Sequence, residues 1–314
     1  MIMIKNISKS FNSKEIFSAV SFSVHAGDKI ALAGANGTGK STLLKIICGE
    51  IDPDDGQVEK TKNLKMGYLP QTIILSRLEK SLTVLEYIKN KFSTVGHDFS
   101  HKTEKMLKVF DLDSIKGARM SELSDGQKVK VLTISILLTD FDVLLLDEPT
   151  NNLDIPSTIW LESYLKASKK NIIVVSHDTD FLESICNKVV YLDWKLKTVR
   201  VSKGKYSDFL EMYHKSRLQQ EINYKNYLKE KKRLESAAMD LKVKSQRGSA
   251  FKGTDNDKNL RGFKRERAGK SGRKASTIKT RIENLEKVKR PVNEKEMTME
   301  LDPDHLNVSL DIAD

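Results

Sequence analysis

Gly34-Ala35-Asn36-Gly37-Thr38-Gly39-Lys40-Ser41, GANGTGKS, decides how this 314-residue chain is read. It matches G-x-x-x-x-G-K-[S/T] at every fixed position. The run before it, Lys29-Ile30-Ala31-Leu32-Ala33, is strand-like, and Thr42 to Ile47 reads as a helix. A glycine-rich turn between strand and helix lets backbone N–H groups wrap phosphate oxygens, and the helix dipole adds attraction. The positions expected against phosphate are therefore Gly34, Ala35, Asn36, Gly37, Thr38, Gly39, Lys40, Ser41 and Thr42. Lys40 is expected to reach the β- and γ-phosphates, and the Ser41 hydroxyl to ligate Mg²⁺.

Further along, Asp142-Val143-Leu144-Leu145-Leu146-Asp147-Glu148 reads as a buried strand ending in two carboxylates. Asp147 is placed to give the second metal contact, and Glu148 to orient or deprotonate a water facing the γ-phosphate. Val174-Val175-Ser176-His177-Asp178 ends a second apolar run, which offers His177 to the γ-phosphate. In Tyr68-Leu69-Pro70-Gln71, Gln71 is a candidate for the metal or the water. Acidic pairs often end strands in solvent, and a lone histidine or glutamine is more often structural. The phosphate loop favours the functional reading, because ligands gather outside the carboxyl ends of parallel strands. A short polar loop, Leu123-Ser124-Asp125-Gly126-Gln127, precedes a helical segment, with Ser124 as cap and Asp125 in the first turn.

Residues 1–205 alternate short apolar runs with amphipathic stretches, as an α/β domain does. Met3 to Ile7 and Val20 to Val24 alternate like half-exposed antiparallel strands. After Gly204 the pattern changes to 3-4 spacing from Leu210 to Leu241, repeated at Ala275, Ile278, Ile282 and Leu285. This predicts two helices packed as an antiparallel hairpin, with 246–274 as an irregular glycine-rich tip and Pro291 closing the second helix. The last residues are polar, with a strand-like piece at Met297 to Leu301.

The net charge of +11 favours a polyanionic partner. Residues 215–290 hold 24 Lys and Arg against 9 Asp and Glu, and the remainder holds 30 against 34. A basic module is thus attached to a slightly acidic remainder. No apolar run approaches the roughly 18 residues needed to span a bilayer. Nothing at the N-terminus resembles a signal peptide, so a soluble cytoplasmic protein is expected, its two cysteines, Cys48 and Cys186, buried thiols.

In this order the motifs resemble an ATP-binding cassette over residues 1–205: an α/β P-loop fold with a mixed sheet, an antiparallel β subdomain and a small helical subdomain. The resemblance makes Gly34–Ser41 the Walker A loop, Gln71 the Q-loop and 123–127 the signature loop. Asp147 and Glu148 become Walker B, 151–154 the D-loop and His177 the switch. It implies ATP and Mg²⁺ as ligands, Ser41, Gln71 and Asp147 at the metal, and Phe11 stacked on adenine. It also implies that Ser124, Asp125, Gly126 and Gln127 close on the ATP of an opposite cassette; the family usually has glycine where Asp125 stands. Pro149-Thr150-Asn151-Asn152-Leu153-Asp154 and Gly204 to Leu210 resemble the ABC-F family of soluble translation factors and antibiotic-resistance proteins. Only 52 residues separate Gln71 from Leu123, which leaves no room for a large inserted arm domain.

That resemblance implies action on the ribosome, with the basic α-helical hairpin at 206–291 as an interdomain linker near tRNA and rRNA. Lys258, Arg261, Lys264, Arg265, Arg267, Lys270, Arg273 and Lys274 are the expected RNA contacts, with Phe251 and Phe263 stacking on bases. ABC-F proteins resemble two cassettes in one chain, whereas this sequence has one motif set, and 292–314 stands where a second would start. The expected opposing cassette is then another copy or a partner chain, or the chain is half of a split or truncated gene. Two readings compete: the ATP-binding subunit of a membrane transporter, and a non-catalytic RNA-binding half-protein.

Overall fold

The structure, a computed structural model, describes residues 1–91, 97–250 and 258–283. The chain divides into two compact units, Met1–Leu210 and Glu211–Asp314.

In the first unit, β1 (Ile2–Phe11) and β2 (Lys14–Val24) pair antiparallel. They join β4 (Asp55–Lys60) in a three-stranded sheet of order β2-β1-β4. Alternation buries Ile2 and Ile4, and a register shift between Ile4 and Ile7 keeps Ile7 inside as well. The main sheet has the order β5-β6-β7-β3-β8-β9 among the described residues. Its strands are β3 (Lys29–Gly34), β5 (Met66–Leu69), β6 (Val143–Asp147), β7 (Asn171–Val175), β8 (Lys188–Asp193) and β9 (Thr198–Lys203). All neighbours in it are parallel except β8 and β9. Every residue of β6 and β7 is buried, which explains their unbroken apolar runs.

Helix α1 (Lys40–Cys48) follows β3 and lies in the core, with Leu43, Leu44 and Ile47 at 0% exposure. These side chains join Ile2, Phe17 and Val20 of the small sheet to Leu145, Ile173 and Val190 of the large one. One apolar core therefore fixes the glycine-rich loop against both sheets. The helical part contains α2 (Arg77–Ser81), α3 (Val84–Asn90), α4 (His97–Val109) and α5 (Asp125–Leu138). Reciprocal capping boxes start α2, α3 and α5. Helices α6 (Ile155–Ala167) and α7 (Thr179–Ile185) start on Asp154 and Asp178, whose carboxylates accept backbone N–H bonds.

Helix α8 (Tyr206–Ser249) begins where Phe209 packs beside Tyr191, ring centroids 5.4 Å apart. Within the second unit its later part lies antiparallel to α9 (Lys258–Glu283), and the Ser245 hydroxyl donates to the Ala268 carbonyl at 2.9 Å. The expected irregular tip over 246–274 is corrected. Helix α8 runs to Ser249 and α9 starts at Lys258, so Gly262, Gly269 and Gly272 are helical. The Lys, Arg and Ala around them are good helix formers and offset the glycine cost. At Gly272 the missing side chain also admits α8, since a Cβ there would sit 3.1 Å from Ser245 Oγ. Phe251, Leu285, Pro291 and residues 292–314 lie outside the described residues. Cys48 and Cys186 are free thiols; Cys186 is buried, but Cys48 is only half-buried, because it ends α1 beside the solvent-facing β4.

Candidate functional site: a phosphate cleft

Phe11, Asn36, Gly37, Gly39, Lys40, Ser41, Thr42, Gln71, Asp147, Glu148 and His177 line one cleft of about 400 Å³. Residues from five separate segments thus converge at the carboxyl ends of β3, β6 and β7 and on the hairpin tip of β1 and β2. Gly39 enters α1 at φ 91°, and a Cβ there would lie 2.5 Å from Ile16 Cγ2. Only glycine fits. No side chain caps α1, so its first N–H groups are open to an anion. Gly34 and Ala35 supply carbonyls that accept from Lys40 Nζ at 2.9 and 3.0 Å. The buried Thr38 hydroxyl donates to Ala35 O at 2.9 Å, which holds the loop in its curl. Burial pulls the Lys40 ammonium down from its ordinary range, against the opposing pull of Glu148 and Asp147.

The two carboxylates differ. Asp147 is 2% exposed, and its Oδ1 has no hydrogen-bond partner in the protein. Burial raises its pKa against a Ser41 hydrogen bond and the Lys40 charge. A buried, unpartnered carboxylate oxygen beside a hydroxyl is the donor set that a hard divalent cation takes, with phosphate oxygens completing it. Among the described residues no cluster of His, Cys, Asp and Glu could hold a metal alone. Glu148 sits at φ 53°, rare for a residue with a side chain, and its N–H donates to Val175 O at 2.8 Å. That backbone turns the carboxylate towards His177: Oε2 accepts the His177 N–H at 3.2 Å, and Oε1 lies 3.5 Å from Nε2. Strain of this kind concentrates at functional sites.

Ser124, Asp125, Gly126 and Gln127 do not line this cleft. They form the start of α5, where Ser124 Oγ accepts from Gln127 N and Gln127 Oε1 accepts from Ser124 N. Asp125 is almost fully exposed and pairs with Lys128 at 2.9 Å. On α9, Arg265, Arg267, Lys270, Arg273 and Lys274 are exposed and Lys264 is half-buried; the side chains of Lys258 and Arg261 lie outside the described residues. Arg267 stands 5.1 Å over the Phe263 ring, and Lys270 pairs with Glu266.

Four contributors are not among the residues that the motifs single out. Ile16 and Val175 line the cleft without any polar signature. The Tyr68 hydroxyl is buried and unpartnered, its pKa raised by burial and by the Asp147 charge. Lys130 clasps Asp154 and Phe110 O, tying α5 to the 151–154 turn. Only the last had a local signal, a basic residue one turn into a capped helix.

Residues 17–151 match the family model described as ABC transporter. The chain is 32% identical over 73% of its length to the uncharacterized ABC transporter ATP-binding protein YfmM of Bacillus subtilis, covering 51% of that protein. It is 34% identical to ATP-binding protein Uup of Buchnera aphidicola, over 68% of this chain and 36% of that one. It is 31% identical to ABC transporter F family member 5 of Arabidopsis thaliana, over 67% and 36%. The chain thus spans about half or less of these curated relatives. Among solved structures, the ATP-binding subunit of an ABC transporter superposes with TM-score 0.60 at 23% identity, over 68% of this chain and 93% of that one. A dimeric bacterial ABC transporter cassette gives 0.54 at 23% identity, over 65% and 98%. Among the described residues no helix is long and apolar enough to cross a membrane. The unit Met1–Leu210 is an ATP-binding cassette of the P-loop α/β fold.

Proposed function

We infer that the chain is a soluble, cytoplasmic ATPase of ABC-F type that acts on the ribosome and hydrolyses ATP together with a second cassette, from another copy or a partner chain. The observation that carries the ATPase part is the convergence of an uncapped helix N-terminus, Lys40, the unpartnered Asp147 oxygen and the strained Glu148 in one cleft. The F-family member among the relatives and the basic α9 support the ribosomal part.

Within this reading Lys40 exchanges its loop carbonyls for the β- and γ-phosphates, and the loop from Gly34 to Thr42 surrounds them. Ser41, Gln71 and Asp147 hold Mg²⁺, which when bound neutralises phosphate charge. Glu148 orients or deprotonates the attacking water, and His177, already hydrogen-bonded to it, helps align that water. Phe11 stacks on adenine. Ser124, Asp125, Gly126 and Gln127 lie outside the cleft and close on the phosphate of the opposite cassette. The exposed cations of α9 neutralise RNA phosphates without reading sequence.

The test is the Glu148→Gln protein with purified ribosomes. Co-sedimentation is expected with ATP and not with ADP, and it should fall steeply with salt. A variant that never co-sediments would overturn the ribosomal reading and leave the ATP cleft intact.

A further inference from the structure

Phe11 reaches the cleft as the last residue of β1, at 45% exposure. It faces Lys14 across a two-residue hairpin, where Asn12 and Ser13 both take positive φ, 47° and 64°. That is the turn whose twist suits a hairpin. One face of the Phe11 ring is covered by Lys9, whose Nζ lies over it 5.6 Å from the centroid. Lys9 and Phe11 share a face of β1, being two residues apart. The register of β1 shifts on both sides of Lys9, which permits this local aim.

Lys9 is itself held. Its Nζ donates to Asp54 Oδ1 at 2.7 Å and to Asp52 O at 2.9 Å, and only 14% of the side chain is exposed. Asp54 Oδ2 accepts the Ser10 N–H at 2.7 Å, and the Asp54 N–H donates to Ser8 O at 2.9 Å. The Lys9 ammonium and the Ser10 N–H keep the Asp54 carboxyl below the usual carboxylate range. Asp54 thus grips the backbone next to Phe11 and the cation over its ring.

We propose that Asp54 and Lys9 are positioning residues for the base-binding end of the cleft: the pair fixes the Phe11 ring, fills one of its faces, and leaves the other for the base of a nucleotide. The proposal rests on the nucleotide reading of the cleft and adds the two residues that set its base end. Neither residue lines the cleft, so both act through Phe11.

The experiment compares Mg²⁺·ATP with inorganic tripolyphosphate, which has the phosphates and no base, by calorimetry. Lys9→Met, Asp54→Asn and Phe11→Ala are each expected to weaken ATP binding, the first two by about 2- to 5-fold, the scale of an exposed cation–π contact. Tripolyphosphate affinity should stay as in the wild type. Lys9→Arg should restore ATP binding, and Lys9→Met should add nothing in a Phe11→Ala background, because the pair acts through that ring. In turnover, KM should rise with kcat unchanged. Equal weakening of both ligands, or full additivity with Phe11→Ala, would overturn the proposal and leave the phosphate site standing. If the wild type binds neither ligand, the nucleotide reading itself fails.

Discussion

Asp147 and Glu148 are neighbours in sequence and opposites in character. Asp147 has ordinary backbone and a buried oxygen with no partner, whereas Glu148 has strained backbone and a satisfied carboxylate. The account makes different predictions for each. Glu148→Gln should retain ATP binding and lose about 100- to 10,000-fold in hydrolysis, measured by phosphate release. For Asp147 the raised folded pKa means that, between the ordinary value of 3.8 and the raised one, the native state binds more protons than the unfolded state. Stability without metal should therefore fall as pH rises through that window. Asp147→Asn should remove the fall, raise the metal-free melting temperature at neutral pH, and abolish the shift that Mg²⁺·ATP gives the wild type; thermal melts at two pH values check all three. Gly39→Ala should abolish nucleotide binding, since its Cβ would collide with Ile16 Cγ2. Both carboxylates and the loop were legible in the sequence because their spacing is local. The Lys9–Asp54 grip was not, because it depends on β1 meeting a strand some 45 residues away.

Single elements carry the next level. Helix α5 opens on a reciprocal cap, so Ser124→Ala should cost about 1 kcal/mol in denaturant unfolding even though Ser124 touches no nucleotide in its own cleft. Helix α6 opens on Asp154, whose carboxyl is held down at about 2 by Lys130 and Ser157. Its contribution to stability is present above the ordinary carboxylate value and is lost as pH falls through about 2. Lys130→Met should move that acid loss to higher pH, which acid titration followed by circular dichroism would detect. Strands were readable from alternation at β1 and β2 and from continuous apolar runs at β6 and β7. The 3-4 spacing from Ala275 marks only the later part of α9, which starts at Lys258. Five glycines over 246–274 looked like a loop when counted one by one, yet Gly272 is where α8 and α9 approach, a packing role invisible to local propensity.

At the scale of the whole molecule, the cassette gathers Lys40, Asp147, Glu148 and His177 in one cleft, and residues 123–127 line no part of it. The concentration of basic charge in the hairpin was legible from composition alone, and it motivates the ribosomal reading. Everything proposed for that larger role depends on Mg²⁺·ATP entering the cleft between Phe11 and Asp147. Calorimetric titration of the Glu148→Gln protein with Mg²⁺·ATP, alone and combined with Lys40→Ala, tests this most directly. The account predicts one saturable site per chain, lost in the Lys40→Ala background. Absence of binding, or binding indifferent to Lys40, would contradict it.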